Sequence, residues 1–328
     1  MRIAILGAGA WGSALAVTLS RAHEVRLWTR DATHLEGIAR TRESKYLPGI
    51  ALTDAIALEP DCMQAIRESE LAIVATSTEG MAPTLARIAA VAGDASFLWA
   101  CKGFDPSTGR LPHEIVSTIL PGCRRAGALS GPSFALEVAR NLPAALTIAS
   151  ANADFAISIA ASLNQSPLRM YSSQDVMGVE LGGALKNVMA IAAGISDGLG
   201  LGANARAALV TRGLAEMARL GVRMGGHPET FVGLTGAGDL ILTATGDLSR
   251  NRRVGLRLAE RVPLETILAE LGHVAEGVHS ARSALALSVR HDVEMPITKA
   301  VCAVLFEGLE PMRAVGNLLA REPKREDR

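Results

Sequence analysis

The stretch Ile3-Ala-Ile-Leu-Gly-Ala-Gly-Ala-Trp-Gly12, near the amino terminus, indicates the class of fold. It begins with four apolar residues, a run typical of a strand that is buried on both faces, and continues into the glycine pattern G-x-G-x-x-G. Residues 13–20 then favour a helix, and residues 24–29 favour a second strand. A strand, this glycine pattern, a helix and a strand within about 30 residues form the dinucleotide-binding fingerprint of a Rossmann-type α/β fold.

The glycines and the end of the second strand predict the ligand. Gly7 allows the tight turn, Gly9 lets the backbone approach a pyrophosphate, and Gly12 lets the helix pack close to the strand. The helix N-terminus offers its free N–H groups to the phosphates. An acid after the second strand would bind the ribose of NAD, whereas an arginine accommodates the 2′-phosphate of NADP. Because Arg30 stands there and Asp31 follows it, we expect NADP, with NAD as a second cofactor; the alternative is that Arg30 is a plain surface residue.

Strands and helices alternate through the rest of the first half. The apolar runs at 71–75, 97–101, 126–129, 143–149 and 168–171 favour strands, and the stretches 81–91 and 154–163 favour helices. This alternation predicts a parallel, doubly wound sheet, and such sheets bind ligands beyond the carboxyl ends of their strands. Lys102 directly follows one of these runs, which makes it either a cation at the ligand rim or an ordinary surface lysine.

The strand signal fades after residue 178. Helices are predicted at 179–196, 205–220, 251–260, 263–271, 279–289 and 297–305, separated by prolines and glycines. We therefore expect two domains, a doubly wound Rossmann-type domain over residues 1–178 and an all-α domain over residues 179–328. The polar tail 321–328 is expected to fray.

One charged residue interrupts an otherwise apolar helix of the second half. Lys186 follows Gly182-Gly-Ala-Leu185 and lies close to Val188 and Met189. Burial of an amine is costly and lowers its pKa, so that a buried lysine can transfer a proton near neutral pH. The alternative is a lysine that extends along the edge of the helix to water.

Two polar segments further along fit a site for an anionic ligand. Asp239 is the single acid of Leu234-Thr-Gly-Ala-Gly-Asp-Leu240, and Ser249-Arg-Asn-Arg-Arg253 places cations at the start of a predicted helix. Cations beside free helical N–H groups bind anions, most simply a phosphate. A solvated basic turn is the alternative, and a nucleic-acid surface is disfavoured because the neutral chain offers no wider basic region.

Composition limits the remaining choices. The 328 residues carry 33 basic and 33 acidic side chains, which excludes a strong global field for nucleic acid or an anionic membrane. The four cysteines show no C-x-x-C spacing and the seven histidines no H-E-x-x-H pattern, so we expect neither disulfides nor a metal site. The apolar stretch 188–195 is too short to cross a bilayer, and a strand stands where a signal peptide would begin. We expect a cytoplasmic protein without a membrane span.

Several motifs occur in order along residues 2–318. They are Gly7-Ala-Gly-Ala-Trp-Gly12, Tyr46-Leu-Pro-Gly49, Lys102-Gly103, Ser130-Gly-Pro-Ser-Phe-Ala135, Gly183-Ala-Leu-Lys-Asn187, Leu209-Val-Thr-Arg-Gly-Leu-Ala-Glu216, Gly236-Ala-Gly-Asp-Leu240, Ser249-Arg-Asn-Arg-Arg253 and Glu276-Gly-Val278. Together they resemble the bacterial NAD(P)-dependent glycerol-3-phosphate dehydrogenases. Their joint occurrence is far more specific than the glycine fingerprint alone.

The resemblance implies a reversible reduction of dihydroxyacetone phosphate to sn-glycerol 3-phosphate, a phospholipid precursor, with NADPH or NADH. It implies that Lys186 is the general acid/base, that Asp239 orients it with Thr243 nearby, and that Lys102 also belongs to the catalytic group. The implied substrate contacts are Lys102, Gly131, Ser133, Lys186, Asp239, Ser249, Arg250 and Asn251. The implied cofactor contacts are Gly7, Gly9, Ala10, Trp11, Gly12, Arg30, Tyr46, Lys102, Ala135, Arg250, Val274 and Glu276.

The resemblance also bears on architecture. It implies an all-α second domain of the 6-phosphogluconate dehydrogenase C-terminal type, and a homodimer is expected because helical domains of this kind often pair. Two residues depart from the family pattern: Ala10 stands where serine is frequent, which puts one cofactor hydroxyl contact in doubt, and Ala237 stands where leucine is frequent.

Other readings of the same residues differ in what they require. A β-hydroxyacid or 6-phosphogluconate-type dehydrogenase usually spaces its lysine and asparagine by a helical turn, whereas Lys186 and Asn187 are adjacent. A non-catalytic nucleotide-sensing regulator would not need Lys186, Asp239 and the cluster at 249–253 together. A serine hydrolase is disfavoured because Ser133 does not lie in a G-x-S-x-G elbow.

Overall fold

The computed structural model describes residues 1–91, 95–271 and 275–322. The first half of this described chain forms an eight-stranded sheet in the order β3-β2-β1-β4-β5-β6-β7-β8. Its strands are β1 (Arg2–Leu6), β2 (Glu24–Trp28), β3 (Ile56–Leu58), β4 (Leu71–Val74), β5 (Phe97–Trp99), β6 (Ala126–Ser130), β7 (Ala144–Ala149) and β8 (Leu168–Ser173). Its helices are α1 (Ala10–Leu19), α2 (Ala32–Thr41), α3 (Cys62–Arg67), α4 (Met81–Val91), α5 (Pro112–Ile119), α6 (Ala135–Ala139) and α7 (Ala153–Leu163).

Helices make up the described second half. They are α8 (Val176–Gly198), α9 (Gly202–Arg223), α10 (Pro228–Val232), α11 (Asp239–Thr245), α12 (Arg250–Ala259), α13 (Leu264–Leu271), α14 (Glu276–Arg290), α15 (Pro296–Phe306) and α16 (Pro311–Leu319), with a π-helical segment at Leu234–Gly238. The predicted fold class, a Rossmann-type sheet followed by an all-α half, is confirmed. The sequence patterns did not single out β3 or the helices α2, α3, α5, α6, α10, α11 and α16. The predicted fraying of the tail mostly concerns residues 323–328, which lie outside the described residues.

The helices cover both faces of the sheet, as a doubly wound fold requires. Along β1 the side chains alternate between two apolar cores: Ile3 and Ile5 belong to one, and Ala4 and Leu6 belong to the other. The strand is therefore apolar throughout, because neither of its faces meets water.

One pair of strands departs from the predicted parallel arrangement. Every neighbouring pair of described strands is parallel except β6 and β7, which are antiparallel. The connection between them holds only the short helix α6, which at 1.5 Å per residue rises roughly 7.5 Å. The chain therefore does not return to the amino edge of the sheet, and β7 starts at the edge where β6 ends.

Helix α8 is the centre of the second half and is almost wholly buried. Its N-cap is Asp175, whose carboxylate accepts hydrogen bonds from the backbone N–H groups of Gly178 and His227 and from the hydroxyl of Thr230. The helix is long and apolar enough to cross a membrane, but 89% of its most apolar window is buried inside the protein, as in the core helix of a soluble protein. The domain boundary predicted at 178/179 falls in its first turn and stays a prediction.

Two glycines let α8 and α12 approach closely. A Cβ atom on Gly194 of α8 would lie 2.0 Å from the carbonyl oxygen of Arg252, and one on Gly255 of α12 would lie 2.1 Å from that of Ile191. Any larger residue at either position would force the helices apart. The start of α12 is therefore held at a fixed place beside α8.

Candidate active site

The predicted catalytic residues meet beyond the carboxyl ends of the strands. Lys102 follows β5, Gly131 follows β6, and α8 and α11 bring Lys186 and Asp239 to the same place. This is the edge at which open α/β sheets bind their ligands.

A buried carboxylate binds two ammonium groups at the centre of the site. Asp239 Oδ1 lies 2.5 Å from Lys186 Nζ, and Asp239 Oδ2 lies 2.8 Å from Lys102 Nζ. Lys186 Nζ also donates to Thr243 Oγ1 at 3.0 Å, and the Thr243 hydroxyl donates to the Asp239 carbonyl oxygen at 2.7 Å. Lys102 Nζ donates to the Gly131 carbonyl oxygen at 2.9 Å. The structure thus brings the four predicted catalytic side chains into one hydrogen-bonded group.

Burial and charge set the protonation of this group. Burial is the largest influence on Lys186 and lowers its pKa from 10.5 to about 8, with the attraction of Asp239 opposing that shift and the repulsion of Lys102 adding to it. Burial alone would raise the pKa of Asp239, but the two ammonium groups outweigh it and leave that pKa below its usual value. An ionised Asp239 therefore faces a lysine that can release a proton near pH 8.

The local sequence explains how Asp239 reaches Lys186. A Cβ atom on Gly182 of α8 would lie 2.4 Å from the Thr235 carbonyl oxygen, and one on Gly236 would lie 2.0 Å from that of Phe231. Glycine at 182 allows the π-helical segment Leu234–Gly238 to lie directly on α8, and glycine at 236 allows that segment to fold closely against Phe231 of α10. Helix α11 then begins at once with Asp239. Such π segments are frequent at functional sites.

The three arginines of the basic segment at the start of α12 differ in their partners, and one of them is not available as predicted. Within the described residues, Arg250 is exposed and makes no hydrogen bond or ion pair. Arg252 is already paired with Asp197 at 2.8 Å and with Asp247 at 3.0 Å, and Arg253 donates to the Asp247 carbonyl oxygen. The charge of Arg252 is thus neutralised by carboxylates within the protein. Arg250 and Arg253 are exposed and have no carboxylate partner among the described residues, and the side chain of Arg250 has no bonding partner there at all.

The other predicted substrate contacts of α12 also have partners. The Ser249 hydroxyl accepts from the Arg252 N–H and caps the helix. Asn251 Nδ2 donates to Asn187 Oδ1 at 2.9 Å, and its Oδ1 accepts from the Gly277 N–H at 3.0 Å. These bonds tie α12 to α8 and α14, so that Asn251 orders the site whether or not it contacts a ligand.

The predicted cofactor contact Glu276 lies on the same network. Asn187 Nδ2 lies 3.3 Å from Glu276 Oε2. Asn187 was seen in the sequence only as the neighbour of Lys186, and its role in joining three helices was missed because hydrogen bonds across helices leave no spacing pattern. The remaining predicted contact of this region, Val274, lies outside the described residues.

The glycine-rich loop has the form that a dinucleotide needs. Gly9 precedes α1, and a Cβ atom on it would meet no atom within 4 Å, so the N–H groups of the helix start are open to a ligand. A Cβ atom on Gly12 would lie 1.9 Å from the Gly7 carbonyl oxygen, which leaves only glycine there. Trp11 Nε1 and Thr76 Oγ1 are buried without a hydrogen-bond partner among the described residues. These observations fit a nicotinamide dinucleotide with its phosphates at α1.

Two residues that the sequence did not single out hold this loop. Ser44 Oγ donates to the Ala8 carbonyl oxygen at 3.1 Å, and His34 Nε2 lies 3.1 Å from the same oxygen. The Tyr46 ring packs edge-on against the His34 ring, with the centroids 5.0 Å apart. The Tyr46 motif thus reaches the glycine loop through His34, and its position is consistent with the predicted cofactor contact.

Arg30 and Asp31, which follow β2, carry opposite charges and differ in their partners. Asp31 caps α2, with its Oδ1 accepting from the His34 N–H at 3.0 Å, and its Oδ2 lies 3.4 Å from Lys45 Nζ. That backbone hydrogen bond is the main cause of the lowered pKa of Asp31. Arg30 is exposed and makes no hydrogen bond or ion pair within the described residues.

The remaining predicted contacts lie around these two centres. Ala10 begins α1, and Ala135 begins α6. Ala135 and Trp11 pack against the same small apolar cluster. Ser133 Oγ donates to the Gly131 carbonyl oxygen at 2.9 Å. Among the described residues, no group of three or more His, Cys, Asp or Glu side chains is placed to hold a metal ion.

Comparisons with known proteins cover almost the whole chain. Residues 2–156 match the family described as NAD-dependent glycerol-3-phosphate dehydrogenase N-terminus, and residues 175–316 match the corresponding C-terminus. The chain is 53% identical over 328 residues to the glycerol-3-phosphate dehydrogenase (NAD(P)+) of Aromatoleum aromaticum, covering 99% of this chain and 100% of that protein. It is 54% identical over 327 residues to the enzyme of the same name from Thiobacillus denitrificans, with the same coverage.

A solved structure agrees with these sequences. The crystal structure of glycerol-3-phosphate dehydrogenase from Coxiella burnetii superimposes with a TM-score of 0.92 at 40% identity, covering 97% of this chain and 98% of that one. The likeness therefore extends over both halves of the fold.

Proposed function

The chain belongs to the NAD-dependent glycerol-3-phosphate dehydrogenase family, and from this premise we propose that it reversibly reduces dihydroxyacetone phosphate to sn-glycerol 3-phosphate with NADPH or NADH. The observation that carries the proposal is the buried pair of Lys186 and Asp239, which faces Lys102 at the ligand edge of the sheet. The product would serve phospholipid synthesis.

The chain's own residues account for the proton in this reaction. When bound, the nicotinamide supplies the hydride chemistry. Protonated Lys186 donates its Nζ proton to the oxygen that becomes the C2 hydroxyl, and neutral Lys186 takes that proton back in the reverse direction. Its pKa of about 8 makes both states accessible near neutral pH. Asp239 and Thr243 fix the direction of Nζ, and the Lys102 ammonium stabilises negative charge on the same oxygen.

The phosphate of the substrate is bound away from the reacting carbon. Arg250 is the first residue of α12, and its side chain has no partner among the described residues and lies beside the N–H groups of that helix. Binding energy gained at this remote phosphate holds the carbonyl beside Lys186. Ser249 and Asn251 keep the helix start in place through their bonds to Arg252, Asn187 and Gly277.

We propose that NADPH is preferred over NADH. The Asp31 carboxylate is engaged in capping α2 and in pairing with Lys45, so it is not free for the ribose hydroxyls that an NAD-type acid binds. Arg30 is free and exposed. Arg30→Gln should raise the KM for NADPH and leave that for NADH unchanged, with the exposed Arg40→Gln of α2 as the control. Equal KM changes for both cofactors would contradict the preference.

Turnover of defined substrates tests the activity itself. When purified protein is mixed with NADPH and dihydroxyacetone phosphate, the absorbance of the reduced nicotinamide should fall. When it is mixed with NADP and 6-phosphogluconate, no absorbance of reduced nicotinamide should appear. Activity on 6-phosphogluconate alone would assign the chain to the rival dehydrogenases. Cofactor binding without any turnover would indicate a nucleotide-sensing regulator.

We propose that the chain forms a homodimer through its helical half. An apolar groove of about 1710 Å³ lies between α9, α15 and α16, and Val222 and Leu319 on its lining are 43% and 80% exposed. Arg212 and Glu322 line the same groove, so a second copy of the chain could meet it with complementary charge. Such an exposed apolar surface is typical of an interface.

The dimer is tested by mass in solution. Leu319→Asp should convert a dimer to a monomer in light scattering after gel filtration, whereas Val289→Asp, which changes an apolar residue 76% exposed outside the groove, should not. A wild-type protein that is monomeric at high concentration would refute the interface.

We also propose a role for each half of the chain and a location in the cell. Residues 1–178 bind the cofactor, and residues 179–328 supply Lys186, Asp239 and the phosphate site. The cytoplasm is supported by the burial of α8 in the core and by four free cysteines, which are typical of a reducing compartment. Cell fractionation with immunodetection tests this placement.

A further inference from the structure

A second buried carboxylate lies outside the group just described. Glu180 of α8 is 7% exposed. Its Oε1 accepts from Trp99 Nε1 at 2.7 Å and from the His113 backbone N–H at 2.9 Å, and its Oε2 lies 2.5 Å from His113 Nδ1. Burial raises the pKa of Glu180, and the hydrogen bond and charge of His113 oppose that effect. Two N–H donors and the His113 ring nitrogen surround one buried carboxylate, and these contacts form a joint between Glu180, Trp99 and His113. An unpaired carboxylate at this place would be costly.

This joint connects the segments that carry the two active-site lysines. Trp99 ends β5, three residues before Lys102, and Glu180 lies in α8, six residues before Lys186. His113 adds the first turn of α5. Both lysines bind Asp239, so a change in the position of α8 relative to β5 alters the geometry at Asp239 from both sides.

Glu180 itself does not reach a substrate. The space between it and Lys102 is a cavity of about 10 Å³, lined also by Ser130 and Gly183. That is roughly the volume accessible to a single water molecule, and it excludes a three-carbon phosphate. Any effect of Glu180 on the reaction therefore acts through the placement of other groups.

We propose that Glu180, held by Trp99 and His113, is a positioning residue that keeps Lys186 and Lys102 at the separation at which both bind Asp239. The inference rests on the proposed dehydrogenase function. Helix α8 is rigid over the ~9 Å that six residues span, so a displacement at Glu180 is passed on to Lys186. Such a displacement would also admit water to Lys186 Nζ and reduce the burial that lowers the pKa of Lys186.

The test is Glu180→Gln, which keeps an acceptor for Trp99 but places an NH₂ group opposite His113 Nδ1. We expect kcat to fall by about 10- to 100-fold, the range that a small misplacement of reacting groups can cost, while the affinity for NADPH in a fluorescence titration is unchanged. In the oxidation of glycerol 3-phosphate, neutral Lys186 is required, so kcat rises with pH through the Lys186 pKa. The variant should move that midpoint away from about 8, upward where burial of Lys186 is lost and downward where its contact with Asp239 is lost.

The midpoint separates positioning from mere stability. The charged groups that act on Lys186, namely Asp239, Lys102 and Glu276, are unchanged in the variant. The control is Glu216→Gln in α9, another buried carboxylate, which accepts from the Ile297 and Thr298 N–H groups. It should lower the Tm and leave the midpoint where it is.

Each outcome decides the question. A lowered Tm with wild-type kcat per folded molecule and a wild-type midpoint in Glu180→Gln would overturn the positioning role. If that variant does not fold, Trp99→Phe removes the N–H donor to Glu180 and keeps a smaller aromatic ring, and it must show a shift of the midpoint as well. A wild-type protein that does not turn over dihydroxyacetone phosphate would instead refute the proposed function.

Discussion

Lys186 and Arg250 lie on adjoining helices, but the protein surrounds them in opposite ways. Lys186 is buried in α8 with Asp239 and Thr243 bonded to its Nζ. Arg250 begins α12 as an exposed side chain that makes no hydrogen bond or ion pair within the described residues. One cation has been removed from water, and the other remains in it.

The difference shows how a site assigns two tasks to one kind of charge. Burial makes the charged form of Lys186 costly, which brings its pKa to about 8 and suits it to proton transfer. An exposed arginine keeps its charge and its hydrogen-bond donors free, which suits it to capture of an anion. Arg252, only two residues further, shows the third outcome, because its pairing with Asp197 and Asp247 leaves it a structural role.

The largest expected effect comes from the buried cation. Lys186→Ala should lower kcat by about 10²–10⁴-fold, the usual contribution of a general acid/base, and should leave NADPH binding intact in a fluorescence titration. Lys299→Ala, which removes an exposed lysine of α15, is the matched control. A near-normal kcat in the Lys186 variant would place the proton donor elsewhere.

A smaller and different effect is expected at the exposed cation. Arg250→Ala should raise the KM for dihydroxyacetone phosphate by about 10- to 100-fold, since hydrogen bonds to charged groups contribute ~1.5–3 kcal/mol, with little change in kcat. Arg252→Ala should act chiefly on the Tm, because it breaks the ion pairs with Asp197 and Asp247. An unchanged KM in the Arg250 variant would mean that the phosphate binds elsewhere.

The smallest effect is on stability at alkaline pH. With its pKa lowered from 10.5 to about 8, Lys186 binds fewer protons in the folded than in the unfolded protein between these pH values. Its contribution to the free energy of unfolding therefore rises with pH across that window. Relative to Lys186→Met, the wild-type Tm should gain a few degrees between pH 8 and 10.5.

The control for this pH effect is Arg250→Met, which removes the exposed cation instead. The difference between its Tm and that of the wild type should not change with pH. If the difference in Tm from the wild type is independent of pH for both variants, burial does not lower the pKa of Lys186.

Much of the fold and the centre of the site were predictable because they rest on local patterns. The glycines at 7, 9 and 12 and the short apolar runs set a period and a spacing that few other folds share. Lys186 was conspicuous because a charge in an apolar helix is costly. The family motifs then placed Asp239 and Thr243 beside it, and the structure brings these side chains together.

What could not be predicted depends on contacts between distant segments. The reversal of β7 follows from the short reach of α6, and the π-helical segment follows from the contact of Gly182 with Thr235. The engagement of Arg252 by Asp197 and the joint at Glu180 join residues 55 and 81 positions apart. No local pattern distinguishes such partners before the chain has folded.

The contact of Gly194 with α12 has a further meaning for the size of molecule that the site accepts. The close packing of the two helices at Gly194 sets the distance between Arg250, at the start of α12, and Lys186, which precedes Gly194 in α8. We consider a molecule whose phosphate is bound by Arg250 and whose carbonyl is bound by Lys186. The separation of the two helices, which their glycines allow to be short, then limits the number of carbons between these two groups. In the proposed binding mode, selectivity for chain length therefore depends on the spacing of these two helices, at a distance from any atom that contacts the substrate.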